Sequence, residues 1–169
     1  MEEIQSARDL AAAERGDLQV AFETVDAAAL LAQLRTAYQH QAVTQGKTIA
    51  PPVISGGTAI RSSGLLLRRV IGNLIRNALE ASSLGNTVSI CFDNSKSPVF
   101  SVHNPSIMPE EVQLQLFQRS FSTKEGMGRG MGTYSVKLFT ERYLGGTVDF
   151  QSPAPEGGTT FYVRLPLNI

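Results

Sequence analysis

One stretch, residues 64–83, carries a long amphipathic helical signal that constrains the fold more than any other part of the chain. At 100° per residue, Leu67, Val70, Ile71, Leu74, Ile75, Ala78 and Ala81 fill one continuous arc, which predicts a helix lying with that arc on a hydrophobic surface. Ser63 stands where an N-cap belongs. The opposite stripe holds Arg69, Asn73, Arg76, Asn77 and Glu80. Asn73 and Asn77 are one turn apart, with Asn77 at the margin of the apolar arc, so both amides point the same way beside the core. Asn is less favourable than Ala in a helix by roughly 0.6 kcal/mol per position, and two of them call for an offset. A hard cation supplies one, because an amide oxygen is a neutral ligand that Mg²⁺ takes alongside water and phosphates. A solvated polar face is the other reading of the same pair.

The remaining pattern alternates strands and helices. Residues 2–15 read as helix ending at Gly16, residues 19–24 as a strand, and residues 27–42 as a helix capped by Asp26. The segment 48–64 is rich in Pro and Gly and is expected to form turns, with a short strand at 59–61. Strands at 87–93 and 99–103 are expected to pair as a hairpin. A short helix at 109–118, a glycine-rich loop at 121–132 and a helix at 133–144 follow, then strands at 147–151 and 160–165 flanking a turn at 153–158. Hairpins mixed with helical crossovers predict a two-layer α/β sandwich, a mixed sheet with helices packed on one face. At 169 residues this is one domain, expected to span 17–169, with residues 1–16 as a linker or the end of a helix from a neighbouring domain.

Gly126, Gly128, Gly130 and Gly132 recur at every second position directly before the helix at 133. Without Cβ atoms such a backbone can turn its N–H groups inward as an anion nest, to which the following helix adds its positive end. A polyphosphate is the natural ligand, and Lys124 offers a mobile charge beside it. Neither Gly-x-x-x-x-Gly-Lys-Ser/Thr nor Gly-x-Gly-x-x-Gly after a strand occurs, which excludes the two commonest nucleotide loops.

Taken together these blocks resemble the GHKL, or Bergerat-fold, ATPases, and within them the sensor histidine kinases. The N box is similar to Val70-Ile-Gly-Asn-Leu-Ile-Arg-Asn77-Ala-Leu-Glu-Ala81, and the F box to Leu116-Phe-Gln-Arg-Ser-Phe-Ser-Thr-Lys124. Residues 128–132 match the second glycine box, and Gly158-Thr159 the Gly-Thr pair before the last strand. The resemblance implies that ATP binds with Mg²⁺, the metal held by Asn77 with Asn73. It also implies that Lys124 and the loop residues Gly126, Gly128, Gly130, Met131, Gly132 and Thr133 lie along the phosphates, and that Asn104, Ser106, Met108 and Thr159 shape the adenine site. Two departures stand out. The first glycine box, usually Asp-x-Gly-x-Gly, reads Asn104-Pro-Ser-Ile-Met108. A neutral acceptor at 104 is weaker than a charged one by roughly 1 kcal/mol, and Ser106 and Met108 narrow the pocket floor. Glu80 also stands where many kinases carry a basic residue.

The function implied is an ATP-dependent protein-histidine kinase domain that presents the γ-phosphate to a histidine on a separate dimerisation domain, upstream of a response-regulator receiver domain. The whole kinase is then expected to be a homodimer. Neither His40 nor His103 has the helical His-acidic pattern of a phosphoacceptor, so the acceptor lies outside this chain. Two alternatives remain: a degenerate regulatory module with weak or no nucleotide binding, and a self-contained hydrolase of the gyrase or mismatch-repair kind. The latter carries an acidic general base where this chain has Asn73. Phe117 and Phe121 read as core anchors rather than a base-stacking surface, and Met127 and Met131 as loop contacts or exposed residues.

Fifteen basic and fifteen acidic residues leave no net charge, so no nucleic-acid partner is expected. One cysteine, Cys91, and an acidic N-terminus without a signal-peptide pattern fit a cytoplasmic domain without membrane contact of its own, whether or not the parent protein is membrane-anchored.

Overall fold

The computed structural model describes residues 2–119 and 132–167. It is a mixed sheet with helices on one face. The elements are α1 (Glu2–Arg15), β1 (Glu23–Asp26), α2 (Ala27–Thr44), β2 (Thr48–Ile49), β3 (Val53–Ser55), β4 (Ala59–Ser62), α3 (Gly64–Ala81), β5 (Thr87–Asp93) and β6 (Val99–Asn104). There follow α4 (Glu110–Gln113), α5 (Gly132–Leu138) running into one π-helical turn at Phe139–Tyr143, β7 (Thr147–Gln151) and β8 (Thr159–Arg164). The main sheet runs β2-β5-β6-β8-β7, with β3 also pairing to β5; β1 and β4 form a separate antiparallel ribbon. Pairings to β5 from β2 and β3 are parallel and the others antiparallel, the mixed order that helical crossovers and hairpins together require.

Alternation along the strands decides which face is covered. Val88, Ile90 and Phe92 of β5, Phe100 and Val102 of β6, and Phe161 and Val163 of β8 point to the helical side and are buried. Onto them lies α3, whose Leu67, Val70, Ile71, Leu74 and Ile75 are almost completely enclosed. Ser63 caps its first turn by accepting from the N–H of Leu66 at 3.3 Å, as expected. The buried part of α3 differs from the predicted arc in two respects. Ala81 is exposed, because the helix ends there, while Gly64, Leu66, Gly72 and Leu79 are buried. At Gly72 the reason is a second neighbour: α2 packs along the other flank, and a Cβ there would stand 3.0 Å from the Tyr38 hydroxyl.

Other differences have local causes. The first strand forms at Glu23–Asp26, where Val25 faces Ile60, rather than at 19–24; Leu18 and Val20 rest on the core instead. Asp26 both ends that strand and caps α2, accepting from the N–H groups of Ala28 and Ala29. The turn-rich segment contributes two edge strands, β2 and β3, and the break between them falls at Pro51-Pro52, where the backbone has no N–H to donate. The helix at 109–118 stops after one turn: Gln115 and Gln118 donate to carbonyls three residues back, and the turns they close bring Leu116 and Phe117 to the core. Phe117 joins Phe150 and Phe161 at centroid distances of 6.0 and 6.4 Å, the anchoring role expected of it; Phe121 lies outside the described residues.

Helix α1 is not a loose tail. Ala13 is fully buried, and Asp9 forms an ion pair with Arg69 on α3. Glu14 Oε1 accepts from Arg119 Nε at 2.6 Å and from the Tyr134 hydroxyl at 3.1 Å. Carbonyls at the end of α1 accept from the π turn as well: Tyr143 donates to Ala13 O at 2.8 Å and Arg142 to Glu14 O at 3.1 Å. Gly16, at φ +82°, then turns the chain away as a left-handed cap.

Two expectations follow. Ile71→Ala removes a side chain with no solvent exposure from the centre of the core and should lower the free energy of unfolding by about 2–5 kcal/mol in urea denaturation; a loss under about 1 kcal/mol would place Ile71 outside the core. The hydrogen bond from Arg119, opposed by burial, holds the Glu14 carboxyl below the usual glutamate range. A carboxylate favoured by folding contributes fully above its unfolded pKa of about 4.3, and that contribution is lost as pH falls through the lower folded value. Hydrogen exchange should therefore show α1 losing protection relative to α3 on acidification below about pH 4, and Glu14→Gln should show the loss at neutral pH. Equal protection of both helices throughout would contradict the clasp.

Candidate functional site

Burying the apolar flank of α3 fixes the direction of its polar edge. Asn73 and Asn77 face the start of α5: Asn73 Nδ2 donates to Ser135 Oγ at 3.3 Å, and a Cβ built on Gly132 would stand 3.7 Å from Asn77 Oδ1 and 3.8 Å from Nδ2. The two predicted metal-site amides and the last glycine of the predicted phosphate loop are thus neighbours. Ser135 Oγ in turn donates to the carbonyl of Gly132 at 2.8 Å, so the bond from Asn73 reaches the loop end through one side chain. With its amide nitrogen engaged there, Asn73 has its side-chain oxygen as its acceptor. Thr133 Oγ1 donates to the carbonyl of Leu116 and joins the two ends of the intervening segment. Lys124, Gly126, Gly128, Gly130 and Met131 lie outside the described residues.

Asn104 closes β6 with only 4% of its surface exposed, and its Nδ2 has no hydrogen-bond partner among the described residues. An unpaired buried amide N–H costs about 1–3 kcal/mol, a cost that a polar ligand edge removes. Ser106, Met108 and Thr159 gather around it through one directional chain. Met108 N–H donates to Ser152 Oγ at 2.7 Å, Ser152 Oγ lies 2.8 Å from Thr159 Oγ1, and Thr159 Oγ1 donates to the carbonyl of Ser106 at 2.7 Å. Because the one Thr159 proton goes to Ser106, Ser152 is the donor to Thr159. Gln113 Nε2 adds bonds to the carbonyls of Met108 and Ser152. Ser106 Oγ donates to Ala81 O at 2.7 Å and fastens the same segment to the end of α3.

The Thr159 hydroxyl, by donating to the carbonyl of Ser106, holds this segment in place. Gly158 explains why a glycine precedes it. A Cβ there would lie 2.1 Å from the Asn104 carbonyl oxygen, and the residue has φ +66°, so the turn can press on β6 only without a side chain. Two contributors escaped sequence reasoning, Ser135 and Ser152. Ser135 sits three residues after Gly132, a spacing that returns a side chain to the first turn of a helix, and this signal was legible; Ser152 acts across the turn from Thr159 and leaves no local trace.

The chemistry on offer is neutral and oxygen-rich at the α3–α5 end, suited to a hard cation and its anionic ligand, and polar but tightly enclosed at Asn104, suited to one edge of a flat heterocycle. Residues 63–169 match the family of histidine kinase-, DNA gyrase B-, and HSP90-like ATPases. The sensor protein IrlS of Burkholderia pseudomallei is 28% identical over 164 residues, covering 93% of this chain and 34% of its own length, so the chain spans about a third of that relative. Among solved structures, full-length ShkA in complex with AMPPNP superposes at a TM-score of 0.81 with 20% identity, over 98% of this chain and 35% of that one. The Acinetobacter baumannii histidine kinase AdeS does so at 0.76 with 19% identity, over 98% of this chain and 77% of that one. By the family match over most of its length, on a fold shared with those kinases, the chain belongs to the histidine kinase-, DNA gyrase B- and HSP90-like ATPases.

Proposed function

We propose that this chain is the ATP-binding catalytic domain of a sensor histidine kinase, binding Mg-ATP between α3 and the start of α5 and presenting the γ-phosphate to a histidine on a separate dimerisation domain. The observation that supports the reading is the approach of Asn77 to Gly132, with Asn73 bonded through Ser135 to the carbonyl of that glycine, so that one place could serve both metal and phosphate. The unpaired Asn104 amide is the fit for adenine: it has both a donor and an acceptor to offer a purine edge. A relative of the same fold was solved with AMPPNP, which supports a nucleotide in this class of site.

In this reading Asn77 and Asn73 supply neutral oxygen ligands to Mg²⁺, which neutralises phosphate charge when bound. The protein's own contribution is positioning. The chain Met108–Ser152–Thr159–Ser106 fixes the base end, and Ser135 fixes the phosphate end against α3. A histidine kinase needs no general base next to the metal, and Asn73 provides none, its amide being engaged by Ser135. Residues 17–169 then form the catalytic domain, and α1 the end of the link to the dimerisation domain of a homodimer that serves a response regulator. No helix among the described residues is long and apolar enough to cross a membrane.

Calorimetric titration tests the site. Mg-ATP should bind the chain, and Asn77→Ala should abolish binding while leaving the melting temperature within a few degrees, since Asn77 is only half-buried. A folded wild-type sample giving no heat at about millimolar ATP would favour the regulatory module instead. The isolated chain should also release no phosphate steadily from Mg-ATP; sustained turnover that Asn73→Ala abolishes would point to a hydrolase.

A further inference from the structure

Directly behind the base-binding pair, on the face of the sheet turned away from the helices, three side chains form a closed cluster. The β6–β8 register sets Asn104 opposite Thr159 and His103 opposite Thr160. Alternation sends the first pair toward α3 and the second pair to the outer face. There Thr160 Oγ1 donates to Glu156 Oε1 at 2.8 Å, while His103 Nδ1 stands 2.8 Å from Thr160 Oγ1 and 3.3 Å from Glu156 Oε1. Thr160 has one proton and spends it on Glu156, so Nδ1 of His103 carries a hydrogen and donates to Thr160, with the carboxylate also in reach. Thr160 is 3% exposed although it points away from the helices, with Glu156 and His103 both at its hydroxyl.

That turn is the same one that presses on Asn104. It is closed by Gly157 N–H donating to Ala154 O at 2.8 Å and Ala154 N–H to Gly158 O at 2.9 Å. Gly158, two residues after Glu156, lies where any Cβ would strike the Asn104 carbonyl. Glu156, Gly158 and Thr159 thus lie within four residues of one turn, with Glu156 bonded from the outer face of the sheet and Thr159 from the other. The Glu156 carboxyl is held below the usual range by its own backbone N–H first and then by Thr160, in keeping with a charged, anchored side chain.

We propose that His103, Thr160 and Glu156 are positioning residues for the base site, a clasp behind the sheet that holds the 152–158 turn so that Asn104 meets the purine at a fixed depth. The proposal rests on the nucleotide reading above. It separates the clasp from general stability, because a clasp acts on the base end and leaves the α3–α5 end untouched.

The test compares Mg-ATP with Mg-tripolyphosphate, which has the phosphates and no base, in titrations of the wild type, Thr160→Val, Glu156→Ala and Glu156→Gln. Thr160→Val and Glu156→Ala should weaken Mg-ATP about tenfold, with tripolyphosphate affinity unchanged, and Glu156→Gln, which keeps an acceptor for Thr160, should recover most of the loss. In the ligand-free protein the amides of Ala154 and Gly157 should exchange about tenfold faster in the first two variants. Unchanged Mg-ATP affinity, or equal weakening of both ligands, overturns the clasp, as do unchanged exchange rates. A wild type that binds neither ligand overturns the nucleotide reading, and the exchange rates still decide whether the turn is held from behind.

Discussion

The fit of α3 between the sheet and α2 is the constraint on which the rest depends. With Leu67, Val70, Ile71, Leu74 and Ile75 enclosed on one flank and Gly72 against Tyr38 on another, the helix has no freedom to rotate about its axis. Its remaining edge, bearing Asn73 and Asn77, can face only the start of α5. Core packing and site geometry are therefore the same problem solved once. A change that rotates α3 by a fraction of a turn costs both the burial of its apolar residues and the direction of its two amides.

The two ends of the site are held by different means. At the α3–α5 end, one serine links Asn73 to Gly132, and α1 braces the same pair of helices from outside through Asp9–Arg69 and through Tyr134, Arg142 and Tyr143. At the Asn104 end, the backbone of 105–108 has neither regular structure nor glycines to shape it, and side chains of the turn after β7, of β8 and of α4 bind it instead. Pro105, Ser106 and Met108 make that segment stiffer and bulkier than a glycine box, and the hydroxyl chain from Ser152 to Ser106 stands where bare backbone would otherwise turn. Asn104 is left as the one group of this segment whose polar atom is enclosed and unpaired among the described residues.

Much of this was legible in the chain. The arc from Leu67 to Ala78, the caps Ser63 and Asp26, and the alternation at 87–93 and 99–103 are local signals of period 3.6 or 2, and the elements form where those periods run. The pairing of Asn73 with Asn77 is likewise local, a matter of one helical turn. What stayed hidden was non-local. The short edge strands β2 and β3 exist only because β5 offers them partners, and the π turn at Phe139–Tyr143 is matched to carbonyls of α1 more than a hundred residues away. The structural part of Thr159 was illegible, since its partner, the carbonyl of Ser106, is set by the sheet register and leaves no pattern in sequence.

The central claim is that the amides of α3 and the amide of Asn104 address opposite ends of one bound nucleotide. Its most direct measurement is to replace Mg²⁺ with paramagnetic Mn²⁺ in the presence of ATP and follow the side-chain amide signals by NMR. The account predicts that Asn77 and Asn73 broaden most strongly, while Asn104 broadens far less and shifts with the identity of the base. Strongest broadening at Asn104, or none at Asn73 and Asn77 with nucleotide bound, would contradict it.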